Sequence, residues 1–312
     1  MDHPRILFMG TPTFALPALE QLVNRNYPVI GVVSQPDRPQ GRGQKETSPP
    51  VKILAQKLGL PVFQPERVKD PAFLEIFRNL NPEMVVVAAF GQILPKTIIN
   101  FPPLACLNIH PSLLPEYRGA APVDWAIIRG ETTTGVTIML MDEGMDSGDI
   151  LLQQQTAIKA TETYGELHDR LAIQGAHLLI EAIDLMAAGT ALRQPQNTSR
   201  VTFAPRLKKE TGRICWQSPA GNIVNLIRGL SPAPAAYTFL GGQALKIFSA
   251  GYEIGHPDNA PGTLGAVTDR GLTVTAADGY VFLRDVQLAG KKRMTVRDFL
   301  RGHRLDPKTI LG

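Results

Sequence analysis

Asn108 and His110 stand two residues apart at the end of an apolar run, Ala105 to His110, and Pro111 follows at once. In an extended chain, side chains two apart share a face. The amide and the imidazole therefore project side by side, while Ile109 points the other way, into the sheet. Pro111 holds His110 extended and prevents a helix from starting there. An amide donates hydrogen bonds; an imidazole moves protons and carries charge. The pair suits a reaction in which an oxygen gains negative charge and a proton changes hands. A second stretch, residues 141–150 (M-D-E-G-M-D-S-G-D-I), follows another apolar run and sets three aspartates among two glycines. Asp146 is the carboxylate we place beside His110, where it would orient the ring and favour its charged form. The other histidines, His3, His168, His177, His256 and His303, have no such company. We read them as structural or exposed. No clustered metal-ligand set is offered, so no metal is expected.

These loops need a scaffold, and the first part of the chain alternates strand-like and helix-like segments. Residues 5–9, 29–33, 84–89, 105–110 and 135–140 read as strands, the third almost wholly apolar, as strands covered on both faces are. Residues 15–23, 51–58, 72–80, 123–129 and the long stretch 163–188 carry helical spacing. Such alternation predicts a Rossmann-like α/β domain with a mostly parallel sheet, and such sheets bind ligands beyond the carboxyl ends of their strands. The first turn holds only Gly10-Thr-Pro, without G-x-G-x-x-G; a dinucleotide is not indicated. Residues 190–210 lose periodicity and read as a linker. Beyond it come a helix over 219–228 and short strands over 237–240, 244–248, 265–267, 272–275 and 280–286. Their Gly- and Asp-containing turns predict a small antiparallel β-barrel, OB-like in character. Thr295 is placed to cap a final helix. The expected division is a catalytic domain over 1–189, the linker over 190–210 and the barrel over 211–312.

The 312 residues are 44% hydrophobic and 19% charged, ordinary for a folded soluble chain. No run is long and apolar enough for a membrane span, and the first residues lack a secretory pattern, so a cytoplasmic location is expected. Two distant cysteines, Cys106 and Cys215, argue against a disulfide framework, and Cys106 reads as a buried thiol. The net charge of +4 is unevenly spread: residues 205–312 hold 15 basic and 8 acidic side chains, the rest 17 and 20. A basic tail behind a slightly acidic front suits a polyanionic partner.

The motifs N-x-H-P-S-L-L-P-x-Y-R-G at 108–119 and D-x-G-x-D-S-G-D at 142–149 resemble those of the folate-dependent formyltransferases. The resemblance implies a catalytic trio of Asn108, His110 and Asp146, with 10-formyltetrahydrofolate as formyl donor and co-substrate. It places the folate near Phe90, Gln92, Ile93 and Leu94, the loop of Ser112, Leu113, Leu114 and Pro115, and the loop beginning Met141-Asp142. Elementary chemistry agrees. Formyl transfer between nitrogens passes through a tetrahedral carbon whose oxygen gains charge, which Asn108 and a protonated His110 can address. The amine must lose a proton and the folate nitrogen must gain one.

The tRNA-directed members of that family are similar over almost the whole chain: R-I-L-F-M-G-T-P-x-F-A at the start, residues 36–52, R-L-K-K-E-T-G-R-I-C-W at 206–216, and the basic tail. This implies formylation of charged initiator methionyl-tRNA by a monomer. The 36–52 loop carries Arg38, Arg42, Lys45 and Lys52 against Asp37 and Glu46, and basic loops of this kind bind phosphates and base edges. In the family it is an insertion against the acceptor-stem end, with an arginine at the position of Arg42. Gln44, Glu46 and Thr47 depart from the more basic or apolar pattern usual there. Further tRNA contacts are expected from Arg206, Lys208, Lys209, Lys291, Lys292 and Arg293, with Arg297 and Arg301 beside them. Competing readings are a formyltransferase for small amines, a hydrolase releasing formate, and an RNA-binding protein without catalysis.

Overall fold

The computed structural model describes residues 3–40, 45–303, 305–306 and 309–312, the side chains of Gln40 and Lys45 excepted. The chain forms two compact units. The first takes Met1–Gly119, Thr134–Thr156 and His168–Ala204; the second takes Ala120–Thr133, Ala157–Leu167 and Pro205–Gly312. The stretch read as a linker is thus shared between them. Its residues up to Ala204 belong to the first unit and are bridged to it by backbone at two points. Gln194 bridges Ile150, and Phe203 bridges Arg118.

The first unit is built on a seven-stranded sheet in the order β5-β2-β1-β6-β7-β8-β9. Its strands are β1 (Ile6–Gly10), β2 (Val29–Val33), β5 (Val62–Phe63), β6 (Met84–Ala88), β7 (Ala105–His110), β8 (Thr133–Leu140) and β9 (Ile150–Ala157). A separate pair, β3 (Arg38–Gln40) and β4 (Lys45–Thr47), is antiparallel. Strands β5, β2, β1, β6 and β7 pair in parallel, whereas β8 runs antiparallel to β7. Every residue of β1 and β6 is buried, as strands covered on both faces must be. Its helices are α1 (Leu16–Asn24), α2 (Pro50–Lys57), α3 (Pro71–Leu80), α4 (Lys96–Ile99) and, from His168 on, α6 (Tyr164–Ala187), whereas α5 (Pro122–Ile128) falls in the second unit. Helix α3 shows why such segments fold as they do. A proline starts it, Phe73 and Phe77 face the core, and Asn81 ends it in the left-handed region at φ 47°. Cys106 is buried in the same core, and burial pushes its thiol up to about 12.

Two strands of the seven-stranded sheet escape the sequence pattern. β5 is only two residues long, and β9 carries Gln153, Gln154 and Gln155, all exposed. Polar runs at a sheet edge leave no alternation to read.

The second unit holds helix α7 (Ala220–Gly229) and an antiparallel sheet in the order β10-β11-β14-β13-β12, with β15 pairing β14. Its strands are β10 (Ala236–Leu240), β11 (Gln243–Ile254), β12 (Leu264–Thr268), β13 (Gly271–Ala276), β14 (Gly279–Leu288) and β15 (Met294–Thr295). Trp216, Ile223, Ile227, Ile247, Val274 and Leu283 are among its buried core. Helix α8 (Val296–Gly302) is capped as expected, with the Thr295 hydroxyl accepting from the Asp298 amide at 3.2 Å. Among the described residues no helix is long and apolar enough to cross a membrane.

Candidate active site

Strand β7 lies between β6 and β8, in register with Val87 opposite Asn108 and Thr137 opposite His110. Asn108 and His110 share one face, and Ile109, 3% exposed, packs into the other. Because β8 runs the opposite way, the loop after Leu140 does not begin beside His110. It leaves at the level of Cys106, whose carbonyl accepts from the Met141 amide at 2.8 Å. The loop then folds back over the face that bears Asn108 and His110. This return brings the Asp146 carboxylate to His110, with Oδ2 3.7 Å from Nδ1.

The imidazole is 4% exposed and fixed from its other side. Nε2 lies 3.0 Å from the Tyr117 carbonyl oxygen. A carbonyl has no proton to give, so Nε2 carries the hydrogen and donates it, and Nδ1 is the nitrogen turned toward Asp146. At 3.7 Å the Nδ1–Oδ2 approach is electrostatic rather than a direct hydrogen bond. Asp146 Oδ2 accepts from the Gly119 amide at 2.8 Å. The Asn108 side chain and Asp146 Oδ1 have no hydrogen-bond partner among the described residues. The site therefore offers, on one face, an uncommitted amide donor, an imidazole edge and an uncommitted carboxylate oxygen.

Two glycines in the motifs are steric requirements. At Gly119 (φ 121°) a Cβ would sit 2.7 Å from the Ala204 carbonyl oxygen, and at Gly148 it would sit 1.9 Å from that of Leu140. Alanine at either position would push away the loop that holds His110 or the loop that holds Asp146.

Three further segments frame the trio. The loop of residues 89–95 leaves β6 next to β7, and Ile93 on it is 94% exposed. Phe90 and Leu94 are buried in the core instead. Gln92 is occupied elsewhere: its Oε1 accepts from the Val68 amide at 2.9 Å, and its amide nitrogen faces the carbonyls of Pro65 and Glu66. In the loop after His110, Ser112, Leu114 and Pro115 are buried. Ser112 Oγ donates to Glu116 O at 2.6 Å, while its carbonyl accepts from Thr137 Oγ1 at 2.7 Å. Leu113 and Met141 stay half-buried. Asp142 ties its own loop, accepting from the Gly144 amide at 3.0 Å and from Ser147 Oγ at 2.7 Å. Lys96 pairs with Glu143, joining the first segment to the Asp146 loop. Of the apolar side chains on these segments, Ile93 and the 57%-exposed Met145 face solvent. Among the described residues, no three of His, Cys, Asp and Glu cluster as metal ligands.

The basic candidates divide by their commitments. Arg42 and the Lys45 side chain lie outside the described residues. Arg38 pairs with Glu66 at 2.5 Å on the surface. Lys52 is no free cation: it donates to Asp37 at 2.6 Å, and Ser48 also donates to that carboxylate. A hydrogen bond from Gln64 and then the pair with Lys52 hold Asp37 down to about 2. In the second unit Arg206, Lys208, Lys209, Lys291, Lys292 and Arg297 are exposed and form no ion pair among the described residues. Arg293 pairs with Asp285 at 2.8 Å and lies over the Phe248 ring, 4.5 Å from its centre. Arg301 pairs with Asp298 at 2.8 Å.

Sequence reasoning missed the partners that hold the site: the Tyr117 carbonyl, the Gly119 amide, and Gln196 and Thr202 in residues 190–204. Backbone groups leave no residue-type signal, and Gln196 sits in a polar stretch without periodicity.

Residues 4–183 match the formyl transferase family and residues 206–304 match the formyl transferase C-terminal domain. The chain belongs to the formyl transferase family. It is similar to a methionyl-tRNA formyltransferase of Syntrophus aciditrophicus, 59% identical over 308 residues and 98% of both chains. A second methionyl-tRNA formyltransferase, from Geotalea uraniireducens, is 47% identical over 100% of this chain and 99% of its own. Among solved structures, the fold is similar to the sugar 3N-formyl transferase WlaRD, crystallised in the presence of dTDP and 5-N-formyl-THF. That match has a TM-score of 0.68 and 18% identity, covering 93% of this chain and 99% of the other. HypX from Aquifex aeolicus in complex with tetrahydrofolic acid is similar too, with a TM-score of 0.67 and 18% identity over 98% of this chain and 51% of HypX.

Proposed function

We propose that the chain transfers the formyl group of 10-formyltetrahydrofolate to the α-amino group of methionyl initiator tRNA, giving N-formylmethionyl-tRNA in the cytoplasm. The observation that carries this reading is the convergence of Asn108, His110 and Asp146, from one strand and one returning loop, with a donor and an acceptor left uncommitted. The near full-length identity to curated methionyl-tRNA formyltransferases supports the same acceptor.

The folate supplies an activated carbonyl on a nitrogen that can leave. Its flat ring is assigned to the exposed apolar residues Ile93 and Met145, with the half-buried Leu113 and Met141 beside them. The protein's own groups then have separable tasks. The Asn108 amide aims an N–H at the oxygen that gains charge, a contribution usually worth about 10²–10³ in rate. His110, locked by Tyr117, presents Nδ1 as the second group able to donate there when protonated. Asp146 Oδ2 steadies that charge, and Oδ1 can accept a proton-bearing group such as the attacking amine or a water. Gly119 keeps the carboxylate from rotating away.

We assign the RNA contacts to cations without ion pairs among the described residues: Arg206, Lys208 and Lys209 at the start of the second unit, and Lys291 and Lys292 near its end. Arg38, Arg42 and Lys45 are assigned to the acceptor end from the sequence. Phosphate contacts set affinity and register and weaken with salt.

The test is to incubate the full-length protein with labelled 10-formyltetrahydrofolate and charged initiator tRNA, with elongator methionyl-tRNA and a free amino sugar nucleotide as competing acceptors. Label should enter initiator tRNA at least about tenfold faster than the others, a discrimination of roughly 1.4 kcal/mol. Equal transfer to the small amine, or label lost to water as formate at the same rate, would overturn the reading.

A further inference from the structure

We propose that Gln196 and Thr202, in the tether of residues 190–204, are positioning residues that hold the two sides of His110 in working geometry. The proposal rests on the formyl-transfer reading above. Its starting point is the backbone. Tyr117 (φ 61°) and Asp146 (φ 51°) both occupy the left-handed region. Residues with a Cβ adopt that conformation at a cost and keep it only where neighbours over-determine it. These two residues are also the ones that address the ring of His110: the Tyr117 carbonyl accepts from Nε2, and the Asp146 carboxylate faces Nδ1.

The tether fastens both. Thr202 Oγ1 accepts from the Tyr117 amide at 2.8 Å, and the Thr202 carbonyl accepts from the Arg118 amide at 2.9 Å. Gln196 Nε2 donates to the carbonyls of Asp146 at 2.8 Å and Gly148 at 2.7 Å. Its Oε1 accepts from Arg118 Nε at 3.2 Å and Nη2 at 2.7 Å. One amide therefore joins the loop after β7 to the loop that carries Asp146, using both of its N–H groups and its oxygen. Glutamate could still accept from Arg118, but it has no proton for the two carbonyls and would set its charge against them. Arg200 adds a surface pair to Glu116 at 2.7 Å, one residue before Tyr117. A segment serving only to connect two domains would have no reason to spend its side chains on the backbone of both catalytic loops. The brace acts on orientation, so its loss should lower kcat and leave substrate affinity in place.

The experiment measures steady-state formyl transfer to charged initiator tRNA, and amide hydrogen exchange, in full-length wild type, Gln196→Ala, Gln196→Glu, Thr202→Val and Thr202→Ser. For both Gln196 variants kcat should fall by about tenfold or more, with KM for tRNA and folate within about twofold of wild type. Exchange over residues 142–148 should rise, while β1 and β6 stay protected. Thr202→Ser, which keeps the hydroxyl, should retain most of the wild-type kcat, and Thr202→Val should lose about tenfold. Wild-type kcat in both Gln196 variants, a rise in KM in place of a fall in kcat, or equal loss in the two Thr202 variants would overturn the proposal. If the wild-type protein transfers no formyl group, the functional reading fails on its own. Exchange over 142–148 then decides separately whether Gln196 holds the loop, and unchanged exchange refutes the brace.

Discussion

Around His110 and across the basic face of the second unit, polar side chains are used in opposite ways. The imidazole, the Asp146 carboxylate and the supports behind them are each tied to a named backbone group, and the trio's uncommitted atoms are few. On the second unit, Arg206, Lys208, Lys209, Lys291 and Lys292 stand in solvent without ion pairs among the described residues. In the proposed function one region would gain its effect from fixed geometry, where a displacement of about 1 Å is costly. The other would rely on charge alone, which salt screens and no single residue controls.

The largest test of that contrast is His110→Ala. It should lower kcat by about a hundredfold or more while folate binding, followed by fluorescence quenching or calorimetry, survives. Near-normal turnover would remove the fixed-geometry half of the comparison. Next in size is Asp124 on α5, a buried carboxyl in the second unit, which sharpens the contrast by showing that polar burial is not confined to the site. Burial pushes Asp124 up to about 7 from an ordinary value of 3.8. The folded form therefore holds a proton that the unfolded chain has lost, and the charged form opposes folding. Its cost is absent below about pH 4, grows as pH rises from about 4 to about 7, and is constant above that. Asp124→Asn should stabilise the protein at pH 8 by on the order of 2 kcal/mol and leave it little changed at pH 4. Urea midpoints at the two pH values measure this; an equal shift at both would refute it.

Smaller effects are expected on the open face. Replacing Lys291 and Lys292 together by alanine should reduce the slope of log affinity for tRNA against log salt by about 1–2, without altering kcat at saturating tRNA. Arg293→Ala should change that slope least, because its guanidinium is already shared between Asp285 and the Phe248 ring. A larger slope change from Arg293 than from the lysine pair would reverse the ranking of free over committed cations.

Much of this was legible in the residues. The period-two placement of Asn108 and His110, the stop at Pro111 and the aspartate loop pointed to one site, and the apolar run at 84–88 announced a strand covered on both faces. The direction of β8 was not legible, because apolar alternation has no sign; it decides where the Asp146 loop starts. Nor was the work of residues 190–204. A glutamine bonded to two carbonyls and an arginine looks in sequence like any polar residue of a connector. Lys52 was misleading in the other direction, since a lysine in a basic loop gives no hint that an aspartate fifteen residues earlier has claimed it.

The order of synthesis gives the tether a temporal meaning. Asp146 and His110 leave the ribosome well before Gln196 and Thr202 do, by roughly 3–10 s at common elongation rates. For that interval the nascent chain has the proposed trio but not the side chains proposed to brace it. Under the proposed brace, a polypeptide released between residues 147 and 195 should carry every member of the trio and still be a poor catalyst.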